Sequence, residues 1–184
     1  FIRTTEPDHK LGVEVFLNKL KKAKTPAGRP AIYEGEYKGL YCQGCERFLT
    51  EKELVNGKCP IHLTEPQHLL EKNYFFRLTD YLPDLKKAIT QKKIKIFPKV
   101  AELEVLGYFK QGLQDFSISR QKVKWGIPLP FDKSQTAYVW VDALPNYLTG
   151  IGYGQNTPSR NWWRGEVIHL MARDILKFHS IYWP

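Results

Sequence analysis

Cys42, Cys45, Cys59 and His62 form a CxxC, thirteen intervening residues and a CxxH, and this pattern uses all three cysteines of the chain. Zinc takes about four soft or borderline donors in a tetrahedron, and two residues between paired ligands let one tight turn offer both to one ion. The spacing therefore predicts a zinc knuckle holding one structural zinc ion. Gly44 lies inside the first pair, where a bend is easiest, and Asn56-Gly57 is a strong hairpin signal just ahead of the second. Three cysteines cannot all pair as disulfides, and a thiolate site needs reduced sulfur, so a cytosolic, reducing compartment is expected. No apolar run approaches the roughly 18 to 20 residues needed to span a bilayer, so no membrane partner is expected.

Those ligands need elements to hold them. Thr5 reads as an N-cap, with Pro7 in the first turn and Asp8 at the third helical position. Val13, Phe16, Leu17 and Leu20 then follow the i, i+3, i+4, i+7 spacing of a helix that should end by Pro26-Ala27-Gly28. From Ile32 to Tyr41, aromatic runs broken by Gly35 and Gly39 predict short strands leading into the metal pattern. A strand is expected over 73–77 and helices over 81–91 and 98–111, with Gly112 just past the second. Buried strands are expected over 116–120 and 137–141, a helix over 142–149, a strand over 167–171 and a helix over 174–182. Strands alternating with helices imply a parallel α/β sheet. The opening at Phe1 and the ending at Pro184 suggest a piece of something longer.

The 184 residues are 42% hydrophobic and carry a net charge of +9, which favours a polyanionic partner. Six lysines (86, 87, 92, 93, 95 and 99) and no acid fall between residues 86 and 99. That run reads either as a solvated helix face with its turn or as a patch facing nucleic acid.

Five runs are specific enough to name a family: FIRTTEPDHK, YEGEYKGLYCQGCERFLTEKEL, SISRQKVKWGIPLP, YVWVDALPNYLT and HLMARDILKFHSIYWP. Together, in this order, they resemble the bacterial-type methionyl-tRNA synthetases. SISR followed by WGIPLP is also similar to the leucyl, isoleucyl and valyl relatives, whereas the single knuckle and YVWVDALPNY point to the methionine branch.

The resemblance implies a class I Rossmann-like catalytic domain split by a zinc-bearing connective-peptide insert. Residues 1–29 would close its first half, 30–116 form the insert and 117–184 open the second half. The implied reaction joins methionine to its tRNA through an adenylate, with methionine, ATP and tRNA as partners and magnesium accompanying ATP. Trp140, Tyr147, Ile175 and His179 match positions of the methionine pocket, with Ala143, Leu144 and Trp183 nearby. Asp174 would accept the substrate ammonium, and Arg120 would lend electrostatic support. On residue type alone, Trp140 and Tyr147 read as core aromatics and Asp174 as an N-cap. The family usually reads Gly-Lys-Asp where this chain has Ala172-Arg173-Asp174, so on the ATP side an added methyl crowds close backbone approach and a guanidinium replaces an ammonium. The HIGH-type and KMSKS-type motifs do not occur in these residues, which alone are therefore expected to catalyse nothing. A reading from another class is a nonenzymatic zinc module that binds RNA or a protein.

Overall fold

The computed structural model describes residues 1–44, 47–49, 51–155 and 162–184. Helix α1 spans Pro7–Lys22, so its cap residue is Glu6, not Thr5, and no side chain caps it. Pro7 has no N–H to satisfy at the first helical position, which removes part of the need for a cap. Asp8 in the first turn and Lys19, Lys21 and Lys22 in the last complement the helix dipole. The buried stripe is His9, Gly12, Val13 and Leu17, with Phe16 and Leu20 packed beside it.

Strand β1 runs unbroken from Ile32 to Cys42 and pairs with β3, Gln67–Phe76, from Ile32↔Phe76 to Tyr41↔Gln67. Gly35 does not interrupt it as expected, because its missing side chain makes room for an aromatic ring. A Cβ there would come within 3.2 Å of the Phe75 ring, which stacks on Tyr33. β2, Arg47–Leu49, pairs with the far end of β1, and β4, Phe116–Ser117, completes the order β2-β1-β3-β4. Helices α2, Leu82–Thr90, and α3, Lys99–Gln111, lie between β3 and β4, and Gly112 ends α3 in the left-handed conformation as expected.

A second sheet, β5-β7-β6, comprises Ser119–Arg120, Asp132–Ala137 and Pro128–Leu129. The two sheets are joined at Tyr74, whose N–H donates to the Ser119 hydroxyl at 2.8 Å while its carbonyl accepts from Ile118 N–H. Two expected elements differ here. β7 stops at Ala137, and Val139–Ala143 is helical (α4) because the Tyr138 carbonyl accepts from both Val141 and Asp142 and turns the chain. Pro145 then breaks the expected 142–149 helix, so α5 is only Asn146–Thr149.

Every ladder among the described residues is antiparallel, so the expected parallel sheet is not seen there. Of the three segments carrying that expectation, 116–120 supplies β4 and β5, both paired antiparallel, and 137–141 leaves β7 after Ala137 and turns helical from Val139. Residues 167–171 form no ladder with any described strand, and parallel pairing needs a neighbour across the sheet. The 174–182 helix is a 3₁₀ turn, Arg173–Ile175, continuing into a π-helical turn, Phe178–Tyr182. One core joins α1 to Tyr74, Ile118, Leu129 and Val141, and another joins α2 and α3 to Leu176 and Ile181. No helix among the described residues is long and apolar enough to cross a membrane.

Candidate functional site

Cys42 ends β1, and Cys59 and His62 come from the chain between β2 and β3. Their donor atoms lie within 4.8 Å of one another. The Asn56-Gly57 turn was legible in advance: both residues have positive φ, at 51° and 75°, and Val55 and Lys58 exchange backbone hydrogen bonds across it. Asn and Gly are the residues that tolerate such a pair. His62 turns Nδ1 towards both sulfurs, at 3.8 Å from Cys42 Sγ and 3.9 Å from Cys59 Sγ. Tetrahedral zinc, with Zn–S about 2.3 Å and Zn–N about 2.0 Å, sets neighbouring S and N donors roughly 3.5 Å apart, so the three donors fit the ion closely. Gly44 is required by this closeness, since a Cβ would meet the His62 ring at 2.5 Å. The Cys59 thiol is pulled down to about 6, chiefly by the backbone N–H of His62, which favours the thiolate that binds metal. Cys45 lies outside the described residues.

A second assembly gathers around α4, α5 and the final turns. Trp140 stacks on Phe178, with ring centroids 3.9 Å apart, and stands edge-on to His179 at 6.4 Å. Tyr147 meets His179, Trp183 and His169 at 5.7, 5.6 and 4.5 Å. Its polar contact follows from one carbonyl. Ile175 C=O accepts from His179 Nδ1–H at 3.0 Å, which leaves His179 Nε2 to accept the Tyr147 hydroxyl proton at 2.8 Å. Burial pushes the Tyr147 hydroxyl up, and burial followed by the nearby His179 holds His169 below the usual histidine range. The cage is therefore built of aromatic rings whose polar atoms bond to one another or to backbone.

The structure brings together Trp140, Tyr147, His179 and Trp183, with Ile175 contributing its carbonyl. Leu144 is buried, and together with Trp140 and Trp183 it also lines an adjoining apolar cavity of about 470 Å³ that reaches Phe16, Phe76 and Ile94. Ala143 sits on α4, where its carbonyl accepts from the Asn146 side chain. Asp174 is exposed and does not cap its helical turn, because Ala172 holds the cap position. Arg173 donates from Nε to Glu104 of α3 at 2.9 Å, so it is engaged on the surface. Arg120 is buried, bonded to the Ser117 hydroxyl and the Ser119 carbonyl and lying 4.3 Å over the Tyr138 ring.

Sequence reasoning passed over Phe178, His169 and Trp163, all of which border the cage. Their signal was density alone: residues 162–183 hold four aromatics and two histidines besides Trp183. It also passed over His9, whose partners lie more than 130 residues away.

The model of the family "tRNA synthetases class I (M)" matches residues 1–68 and 51–184. The methionine–tRNA ligase of Streptomyces coelicolor is 40% identical across the whole chain, which covers 35% of that relative, and the Clostridium perfringens ligase is 41% identical, with 28% of it covered. The chain thus spans about a third of the length of the curated relatives it matches. Among solved structures, the Mycobacterium tuberculosis methionyl-tRNA synthetase in complex with methionyl-adenylate superposes with a TM-score of 0.86 at 36% identity, over the whole of this chain and 36% of that one. With the family model matched from end to end and such identity to several ligases, this chain belongs to the methionyl class I tRNA synthetases.

Proposed function

We propose that the protein containing this chain joins methionine to its tRNA, first activating the amino acid with ATP. The observation that carries this reading is the Tyr147–His179 pair inside the aromatic box. A thioether is apolar, polarisable and a weak acceptor, and sulfur gains about 0.3–1.5 kcal/mol from each good aromatic contact. With the Tyr147 proton committed to His179, the box offers ring faces and edges and no charge, which suits methionine and penalises side chains with ionised ends. Trp140, Tyr147, His179 and Trp183 form the walls, Ala143, Leu144 and Ile175 support them, and exposed Asp174 accepts the ammonium group at the rim.

On the ATP side stand Ala172 and Arg173, with magnesium accompanying the nucleotide. Arg173 leaves Glu104 when it turns towards phosphate, and an exposed pair costs only about 0–1 kcal/mol to break. Arg120 acts from behind Tyr138. Zinc in the Cys42, Cys45, Cys59 and His62 knuckle is structural, supported by three converging donors. Residues 1–29 and 117–184 belong to the catalytic halves and 30–116 to the insert, in a cytoplasmic protein. Six lysines of residues 86–99 are exposed, which suits contact with the tRNA backbone.

The full-length protein, assayed by ATP–pyrophosphate exchange, should exchange with methionine at least about a hundredfold better than with leucine or valine, since a fitted pocket separates such side chains by a few kcal/mol. Equal exchange with leucine would overturn the reading.

A further inference from the structure

His9 is fully buried in the first turns of α1, and it grips two helices that are otherwise hard to hold. Its Nε2 lies 2.8 Å from Asp142 Oδ1, and its Nδ1 lies 2.8 Å from Thr149 Oγ1. In the neutral ring, Nε2–H donates to the carboxylate, and Nδ1 is then left to accept the threonine hydroxyl proton. One imidazole thus ties α1 to α4 and to α5 at once.

Neither tied helix stands by itself. α4 has five residues and α5 four, far below the length at which a helix is stable alone. Pro145 also interrupts any hydrogen-bond ladder running from one to the other. Their relative position must come from outside, and α1 supplies it closely. A Cβ on Gly12 would collide with Thr149 and come within 2.7 Å of the Tyr153 carbonyl, so the helix lies flush against α5 at that turn.

The two anchor points have a regular relation to the cage. Asp142 follows Trp140 by two residues, and Thr149 follows Tyr147 by two. Two residues along a helix is a rotation of about 200°, so the anchors sit on the faces opposite the cage walls. A change in either hydrogen bond shifts a wall without touching the bound amino acid.

We propose that His9 is a positioning residue for methionine binding: by holding Asp142 and Thr149 together it fixes the separation between Trp140 and Tyr147. This inference rests on the methionine reading of the cage. The full-length protein is the material for the test, with pyrophosphate exchange measured against methionine at saturating ATP and then the reverse. His9→Ala should raise the methionine KM about tenfold or more, leave the ATP KM within about twofold, and change kcat little, because the displacement acts on the pocket that binds the side chain. His9→Gln, whose amide reaches Asp142, should recover most of the loss. Thr149→Val should raise the methionine KM in the same direction, and combined with His9→Ala it should add little, because His9→Ala already removes the bond that Thr149→Val deletes.

A purely structural role predicts something else: a lower melting temperature with both KM values unchanged in the folded fraction, or both raised alike. Either result overturns the proposal. If His9→Ala does not fold, Thr149→Val still decides, since an unchanged methionine KM in that variant overturns it. Wild-type protein that fails to activate methionine refutes the function reading itself, whereas activation with a methionine KM indifferent to all three variants refutes only the role of His9.

Discussion

The metal pattern occupies residues 42 to 62, joined by a hairpin and two turns, whereas the aromatic cage draws on residues 140 to 183 and is braced from residue 9. The first has little to bury: Cys42, Leu49 and Cys59 form its only tight cluster among the described residues, with Leu40 and Leu54 alongside. The second is closed by ring contacts and hydrogen bonds between its own side chains. A region with so small a core is expected to rely on a bound ion to stay folded. A region that packs against itself keeps its shape empty and loses function in steps, one side chain at a time.

The largest expected effect is therefore metal removal. Structural zinc sites are worth about 10–16 kcal/mol at neutral pH, more than a small hairpin can supply from burial. The reduced protein should carry about one equivalent of zinc, and Ala at any of Cys42, Cys45, Cys59 or His62 should lower it. Hydrogen exchange after chelation should rise over residues 40–64 and stay unchanged over 139–149. Equal loosening of both stretches would erase the contrast between the regions.

Next in size is the loss of a cage wall. Trp140→Ala removes a ring stacked on Phe178, and truncating a well-packed Trp costs about 3–5 kcal/mol. Trp140 is half-buried, so the lower end applies. Methionine binding by the full-length protein should weaken about a hundredfold, with ATP affinity and zinc content near wild type. An unchanged methionine dependence would remove Trp140 from the pocket.

The same contrast explains what could be read in advance. The convergence of Cys42, Cys59 and His62 was legible because its causes are local: their spacing, Gly44 and the Asn56-Gly57 turn all lie within one short stretch. Helix α1 and the ends of α2 and α3 were legible for the same reason. The cage walls were named only through resemblance, because a Trp at 140 and a Tyr at 147 look like core aromatics until the chain brings His179 and Trp183 to them. Elements near the cage were misread where tertiary bonds decide. Tyr138 accepts two N–H groups and ends a strand that the apolar run alone would have extended to Val141. His9 carried no signal, since nothing in its neighbourhood indicates partners at 142 and 149.

A smaller effect is expected at the one hydrogen bond inside the cage. Tyr147→Phe keeps the ring and deletes a neutral bond, worth about 1 kcal/mol net. The methionine KM should rise several-fold, and the melting temperature should fall slightly. If the variant instead loses as much as Trp140→Ala, the cage depends on its polar pair more than on its walls, and the comparison with the knuckle must be redrawn.

The smallest effect concerns acid. His169 lies among Tyr147, Trp163, Trp183 and His179, and its Nε2 accepts from Trp183 Nε1–H at 3.4 Å. Burial first, and then the neighbouring His179 imidazole, keep its folded pKa below the ordinary value of about 6.5. The folded state therefore binds this proton less readily than the unfolded chain does. Its contribution to stability is complete above the unfolded value and disappears as pH falls through the depressed folded value. Protonation also turns the Nε2 acceptor into a donor facing the Trp183 N–H, so the contact becomes repulsive as the charge appears. Melting followed by tryptophan fluorescence should decline modestly below about pH 6.5. In His169→Gln the decline should be shallower. Acid would also release zinc held by the proposed knuckle, because His62 and the cysteines must be deprotonated to bind it, but that loss would be common to both proteins and cancel in their difference. Coincident pH profiles for wild type and His169→Gln would show that the cage, unlike the knuckle, has no acid sensitivity of its own at this histidine.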